Sequence, residues 1–241
     1  MKTFDDVAAY LQQQTEVFGR TTWVTLTALP EPHELHSPTA ENTMDTPWTE
    51  AESLDAMHKA IENCMKCPLG ATRIRLVFGT GNPNAEIMVI GEAPGADEDE
   101  QGLPFVGRAG QLLTKILESI DLNRADVYVA NIIKCRPPNN RKPTPFEIES
   151  CEPYLWKQID LVRPRFILAL GLTAANTLLK NKSSMKDLRG IIHNYHGIQT
   201  IVTYHPAALL RNPSWKKETW EDVKFLRSLI HTSNTSNTSN T

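Results

Sequence analysis

The sequence predicts an α/β fold in which a parallel sheet lies between two layers of helices. Four short runs, apolar on both faces, alternate along the chain with segments of helical periodicity. Buried parallel strands have this character because helices cover both faces of their sheet. Polar residues stand at the ends of three of the runs, where open α/β folds bind their ligands.

The predicted elements follow one another in a regular order. The four strands are residues 85–90, 127–133, 166–170 and 198–204. The helices are residues 109–120, 145–161, 173–179 and about 218–230. A helix between successive strands is the usual crossover connection of a parallel sheet.

Segments outside this pattern divide the chain. Residues 1–61 predict an acidic N-terminal extension, part helix and part linker, because four prolines interrupt its few large apolar residues. Residues 232–241 repeat the triplet TSN without apolar side chains, which predicts a disordered tail. We expect the functional domain to span residues 62–231.

Composition excludes several classes of protein. The 241 residues are 40% hydrophobic, enough for a sizeable core, yet no apolar run is long enough to cross a membrane. The first residues lack the pattern of a secretory signal, and four cysteines are too few for a disulfide scaffold. We therefore expect a cytoplasmic protein in a reducing environment.

Charge is distributed unevenly along the chain, which has 25 basic and 28 acidic residues. Residues 1–63 contain three of the basic and eleven of the acidic residues, so 22 basic and 17 acidic residues remain in 64–241. The body of the protein is thus mildly basic, which permits a polyanionic partner such as nucleic acid.

Three polar residues mark the ends of predicted strands. Glu92 follows the first strand, Asn131 lies near the end of the second, and His205 follows the fourth. The carboxyl ends of parallel strands line one crevice, so these side chains are predicted to converge on a ligand. The alternative, that each residue only caps its local turn, is weaker for all three together.

The four cysteines have the spacing of a metal site. Cys64 and Cys67 form a C-x-x-C turn, and Cys135 and Cys151 follow in a distant segment. Four sulfur ligands suit either zinc or an iron–sulfur cluster, and spacing alone does not distinguish them. Four free core thiols are the alternative, and a redox dithiol is disfavoured because no strand precedes the C-x-x-C turn.

Cys135 lies in a basic loop, residues 134–142, that contains no acidic residue. Lys134, Arg136 and Arg141 are therefore candidate contacts to the phosphates of a polyanionic partner, with a solvated run of charge as the alternative.

The segment after the fourth strand combines an apolar residue with a cation. Leu209 and Arg211 suit an apolar wedge beside a cation, which proteins insert between the stacked bases of a nucleic acid. A leucine buried in the core is the alternative.

Five segments, in order, resemble the motifs of the family 4 uracil-DNA glycosylases, iron–sulfur enzymes of the wider uracil-DNA glycosylase superfamily. They are CMKCPL at 64–69, GEAPGADED at 91–99, GLPFVGRAG at 102–110, NIIKCRPP at 131–138 and HPAALLR at 205–211. The resemblance covers about 62–230 and implies a three-layer α/β/α sandwich with a four-stranded parallel sheet. It also implies a 4Fe–4S cluster rather than zinc. The implied ligands are Cys64, Cys67, Cys135 and Cys151.

The activity that the resemblance implies is hydrolysis of the N-glycosidic bond of uracil in single- or double-stranded DNA, by a monomeric, monofunctional enzyme of base excision repair. The base would be flipped out of the stack, and an abasic site would remain. Phe105 would stack on the flipped base, Asn131 would bind its N3–H and O4, and His205 would donate to O2 and stabilise the departing anion. The remaining residues of the implied uracil site are Gly91, Glu92 and Ala93.

Two positions differ from the family 1 pattern of the superfamily. Ala93 replaces the Asp that orients water in family 1, which leaves Glu92, Glu98 or backbone carbonyls for that role. We take Glu92, with His205, as the candidate catalytic residues. Gly95 replaces a Tyr that excludes thymine, so thymine exclusion is unexplained.

Two other functions compete with the glycosylase. One is a non-catalytic iron–sulfur module that binds DNA or associates with replication on the same fold. The other is a nucleotide-binding α/β protein, which is disfavoured because no G-x-G-x-x-G or Walker loop follows the first strand.

Overall fold

The computed structural model of the protein describes residues 47–237 of the chain, with side chains for residues 47–232. The strands are β1 (Thr80–Gly81), β2 (Ile87–Gly91), β3 (Tyr128–Asn131), β4 (Phe166–Leu170), β5 (His193–Tyr195) and β6 (Ile198–Thr203). The helices are α1 (Leu54–Ile61), α2 (Ala96–Gln101), α3 (Arg108–Glu118), α4 (Pro145–Val162), α5 (Leu172–Leu179), α6 (Met185–Leu188), α7 (Pro206–Arg211) and α8 (Lys216–Asn237). Short 3-10 turns connect several of them.

Within residues 47–237 the sheet has six strands, in the order β1-β3-β2-β4-β6-β5, and is mixed rather than purely parallel. The four apolar runs of the sequence form its centre, where β3, β2, β4 and β6 pair in parallel. The expectation of a four-stranded sheet is corrected by β1 and β5, which pair antiparallel at the two edges. These edge strands are two and three residues long, so backbone pairing rather than an apolar pattern defines them.

Alternate residues of the central strands enter two separate cores. In β2, Met88 and Ile90 join one core, and Ile87 and Val89 join the other. Because side chains alternate across a sheet, these are the cores on its two faces. Helices α1, α4 and α5 contribute to the first core, and α3 and α8 contribute to the second. The sheet thus lies between two helical layers.

The N-terminal limit of the packed region differs from the predicted boundary at residue 62. Helix α1, which begins after the N-cap Ser53, buries Met57 and Ile61 in the first core, at 0% and 1% exposure. An apolar stripe at helical spacing is sufficient to dock this helix. The predictions for residues 1–46 lie outside the part of the chain that the structure describes.

The last helix is longer than its sequence pattern indicates. Helix α8 continues to Asn237, whereas the TSN repeat predicts disorder from residue 232. Local backbone hydrogen bonding extends the helix without an apolar face in the repeat. Residues 238–241 are outside the described residues. No helix among those described is long and apolar enough to span a membrane.

Candidate functional site

A cleft of about 440 Å³ opens at the carboxyl ends of β2, β3 and β6. Three side chains that the sequence predicts to converge, those of Glu92, Asn131 and His205, line it together with Phe105. The other lining residues are Ala93, Pro94, Gly95, Glu98, Ala109, Pro137, Asn140, Arg141, Lys142, Ala207 and Arg211. Loops from three strands therefore meet around one space, as the strand-end argument predicts.

Asn131 presents an unsatisfied acceptor in this cleft. The residue ends β3, is 1% exposed, and pairs in register with Gly91 of β2. Its Oδ1 atom is buried and has no hydrogen-bond partner among the described residues. Leaving a buried polar group unpaired costs about 1–3 kcal/mol, so this atom is poised for a donor from a ligand.

Gly91 allows the amide and the aromatic ring to come close together. A Cβ atom at Gly91 would lie 2.5 Å from Asn131 Oδ1 and 2.5 Å from Phe105 Cζ. Neither neighbour could remain in place at that distance. The absence of a side chain at the end of β2 is therefore a requirement of the site.

We predict that Gly91→Ala lowers kcat/KM on a uracil-containing oligonucleotide by roughly tenfold. Overpacking of this kind costs about 1–3 kcal/mol because side chains must move off their rotamers. Steady-state kinetics, with a thermal melt to separate loss of fold from loss of function, measure the effect. Unchanged kcat/KM would contradict the close packing of Asn131 and Phe105.

The Phe105 loop is held in an unusual conformation. Phe105 has φ 54°, in the left-handed region, and its ring centroid lies 5.4 Å from that of His205. Glu98 Oε1 accepts hydrogen bonds from the backbone N–H groups of Val106 and Gly107, both at 3.0 Å. These bonds stabilise a backbone that a non-glycine residue seldom adopts.

Glu98 and Glu92 have different environments. The second oxygen of Glu98, Oε2, accepts from the Gly95 N–H at 3.1 Å, so both of its oxygens are engaged by backbone. Glu92 is half-buried in the cleft, and its carboxylate makes no hydrogen bond with any other described residue. The geometry therefore favours Glu92 over Glu98 as the carboxylate available to a water molecule.

His205 is held as a neutral imidazole. It is the N-cap of α7, where its Nδ1 accepts a hydrogen bond from the Ala207 N–H at 3.1 Å. Accepting at Nδ1 leaves the proton on Nε2, which is free to donate. Burial, reinforced by the positive charge of Arg211, lowers the pKa of His205 from 6.5 to about 4.

We predict that kcat shows no acid inflection near pH 6.5 and declines only as pH approaches about 4. The folded-state pKa of His205 lies below its ordinary value, so the imidazole stays neutral over that interval. Because the folded protein binds fewer protons at His205 than the unfolded chain does, the stability that the neutral imidazole contributes is present above about pH 6.5 and is lost as pH falls toward 4. The pH dependence of kcat, measured at saturating substrate, tests the prediction. The variant Arg211→Met, which removes the nearby charge, should move the acid limb to higher pH.

Two predicted DNA contacts are corrected by the structure. Lys134 is 0% exposed, and its ammonium donates to the Asn131 carbonyl at 2.7 Å and to Gln158 Oε1 at 2.5 Å. Leu209 is 1% exposed, whereas Leu210 is 39% exposed. Neither Lys134 nor Leu209 can reach DNA from these positions.

The other predicted DNA contacts lie at or near the mouth of the cleft. Arg141 and Arg211 line the cleft and are exposed. Arg141 forms a bidentate pair with Glu147, at 2.8 and 2.6 Å, which lowers the pKa of that carboxyl to about 2. Arg136 is half-buried and donates to Asn140 Oδ1 at 2.8 Å. Asn140 and Lys142, which carry no individual sequence signal beyond their place in the basic loop, also line the cleft.

The four cysteines come from three segments near one end of the sheet. Cys64 and Cys67 are half-buried beyond α1, Cys135 follows β3, and Cys151 lies in α4. Burial raises the pKa of the Cys135 thiol to about 11 and that of Cys151 to about 12, and the neighbouring thiols contribute in the same direction. The four thiols are thus electrostatic neighbours. Their all-sulfur donor set is the one that iron–sulfur clusters use. Within the described region, no three His, Cys, Asp or Glu side chains are arranged to hold a single metal ion.

Comparisons with known proteins place the chain among relatives of one superfamily. Residues 78–228 match the model of the uracil DNA glycosylase superfamily. A type-4 uracil-DNA glycosylase of Pyrobaculum aerophilum is 45% identical over 178 residues, which cover 70% of this chain and 91% of the relative. A type-4 uracil-DNA glycosylase of Archaeoglobus fulgidus is 44% identical over 74% of this chain and 94% of the relative. That of Thermotoga maritima is 40% identical over 76% and 97%. The matched region contains every residue that lines the cleft. The chain therefore belongs to the uracil DNA glycosylase superfamily.

Proposed function

We propose that the protein is a uracil-DNA glycosylase that flips uracil out of DNA, hydrolyses its N-glycosidic bond and leaves an abasic site. The observation that carries this proposal is the convergence of an amide, an imidazole and an aromatic ring, those of Asn131, His205 and Phe105, on one cleft. The type-4 uracil-DNA glycosylases to which the chain is similar support the same activity.

Base flipping is required because the glycosidic bond of a stacked nucleotide is out of reach. Extrusion costs a few kcal/mol, which contacts in the pocket offset. Phe105 supplies a stacking surface worth about 1–3 kcal/mol for one base. Its fixed loop supports this role, since a ring that is already ordered loses little entropy on binding.

Asn131 distinguishes uracil from cytosine. Its unpaired Oδ1 accepts the N3–H of uracil, while its Nδ2 donates to O4. Cytosine carries an acceptor at N3 and a donor at N4, so both contacts would be mispaired. Each good bidentate contact to a base edge contributes about 1–3 kcal/mol of discrimination.

His205 and Glu92 act on the bond that breaks. As the bond lengthens, negative charge develops on the base, and the Nε2–H of His205 donates to O2 and stabilises it. A neutral donor suits this role, and the bond at Nδ1 fixes the tautomer. Glu92 orients the water that attacks the electron-poor sugar carbon and accepts its proton.

Cys64, Cys67, Cys135 and Cys151 would hold a 4Fe–4S cluster. When bound, this group supplies structural cross-linking rather than a chemical step. The residues around it support that role, because the cysteines tie α1 and the C-x-x-C turn to the loop after β3 and to α4. We further propose that the enzyme acts as a monomer in base excision repair, in the cytoplasm.

Incubation with a uracil-containing oligonucleotide, followed by alkali, tests the proposal. Alkali cleaves DNA at abasic sites, so strand scission at the uracil position is expected, with none on a cytosine or thymine control. No scission by protein that retains its cluster would favour a non-catalytic iron–sulfur DNA-binding module instead.

A further inference from the structure

Arg73 connects the two halves of the cysteine site. Its Nη2 donates to the Glu62 carbonyl at 2.7 Å, and its Nη1 donates to the Cys64 carbonyl at 2.6 Å. The same Nη1 lies 3.6 Å from Cys135 Sγ, within range of an N–H···S hydrogen bond. The turn is closely built around this guanidinium, since a Cβ atom at Gly70 would lie 2.7 Å from the Cys64 carbonyl and 3.1 Å from Arg73 Nη1.

The positive charge of Arg73 gives this side chain a second role, which is to balance negative charge at the cysteine site. Four thiolates outweigh the positive charge of an iron–sulfur core, so a loaded site is net anionic. The Arg73 guanidinium lies beside Cys135, and the backbone N–H of Lys134 donates to Cys151 Sγ at 3.3 Å, so each of the two buried sulfurs has an N–H group beside it. Burying a net charge is costly unless opposite charges are close, and the guanidinium of Arg73 reduces that cost.

We infer that Arg73 is a positioning residue that fixes the C-x-x-C turn against Cys135 and makes the bound cluster both longer-lived and easier to reduce. The inference rests on the proposed cluster. A guanidinium is suited to it because its planar donors can reach three acceptors at once, whereas an ammonium presents a single centre. Hydrogen bonds and charge near the sulfurs raise the reduction potential of such clusters.

The test compares the full chain with Arg73→Met and Arg73→Lys, each purified without oxygen. Retention of the cluster is measured by the iron and sulfide content per chain and by the decay of visible absorbance in the presence of an iron chelator. We expect Arg73→Met to lose its absorbance roughly tenfold faster than the unmodified chain, since residues that hydrogen-bond metal ligands contribute about 10–100-fold in affinity. Arg73→Lys should lose it at an intermediate rate.

Arg75→Met is the matched control. Arg75 lies two residues away, carries the same charge, and bonds the Glu100 carbonyl at 3.0 Å rather than any cysteine segment. It should retain absorbance as the unmodified chain does. Should Arg73→Met fail to fold, Arg73→Lys still tests the inference through its rate of decay.

A second measurement separates positioning from a general loss of stability. Redox titration should give a more negative potential for Arg73→Met, and an unchanged potential for Arg75→Met, because only the first removes a donor to Cys135. Equal decay rates and potentials in all variants would overturn the role of Arg73. An unmodified chain without iron or visible absorbance would instead contradict the cluster, while leaving the glycosylase assay as an independent result.

Discussion

His205→Ala is expected to lower kcat by roughly 10²–10³-fold with little change in KM. The imidazole donates to a charge that is fully developed only in the transition state, and loss of such a donor costs about 2.7–4 kcal/mol. Uracil in the ground state gains less from the same contact, so substrate binding is largely preserved. Single-turnover rates on a uracil-containing oligonucleotide, with affinity measured separately, check this expectation.

His196→Asn is the appropriate control for that variant. His196 is exposed in the two-residue turn between β5 and β6, where it has φ 49°, a conformation that Asn tolerates. Its rate should equal that of the unmodified chain. A rise in KM for His205→Ala at constant kcat would show that the imidazole contributes to ground-state binding and not to catalysis.

The central sheet could be predicted from the sequence because its strands carry their own signal. Residues 87–91 are all buried, and an unbroken apolar run of that kind is typical of a strand covered on both faces. The edge strands have no such signal. The pair formed by β5 and β6 depends on the turn at His196 and Gly197, where both φ angles are positive. Such a turn favours a hairpin, although His at the first position is not its usual residue.

The lining of the cleft follows from the sequence where position in the fold decides it, and does not follow where the direction of one side chain decides it. Asn131 and His205 line one cleft because the carboxyl ends of β3 and β6 converge. The predicted phosphate contact of Lys134 is wrong because a basic run does not reveal which member turns inward to bond a carbonyl and Gln158. The predicted wedge at Leu209 is wrong for a similar reason. Adjacent residues of a helix point about 100° apart, so only Leu210 is exposed.

The support of the Phe105 loop was the least predictable feature. Glu98 stands three residues after Gly95, a spacing that also describes an ordinary helix N-terminus. Its additional bonds to Val106 and Gly107 join segments that are eight and nine residues away. No local pattern encodes a contact of that kind, although the glycines around Phe105 indicate a tight loop.

Asn131→Asp is expected to lower kcat/KM on uracil-containing DNA more strongly than Asn131→Ala does. Alanine removes two hydrogen bonds to the base, which costs about 2–3 kcal/mol, or roughly 10²-fold. Aspartate keeps the size of the side chain but replaces the donor at Nδ2 with an acceptor, directly opposite the O4 acceptor of uracil. Two acceptors face each other in a buried site, and an unpaired or repelled polar group there adds a further penalty.

The matched control is Asn176→Asp in helix α5. Asn176 also has a buried Oδ1 without a hydrogen-bond partner among the described residues, while its Nδ2 donates to the Ser183 carbonyl at 3.2 Å. It does not line the cleft, so its substitution tests the same chemical change away from the base. We expect Asn176→Asp to lower the melting temperature without altering kcat/KM. If Asn131→Asp retained more activity on uracil than Asn131→Ala, the donor at Nδ2 would not be the group that reads O4, and recognition of uracil would have to depend on the backbone of the cleft.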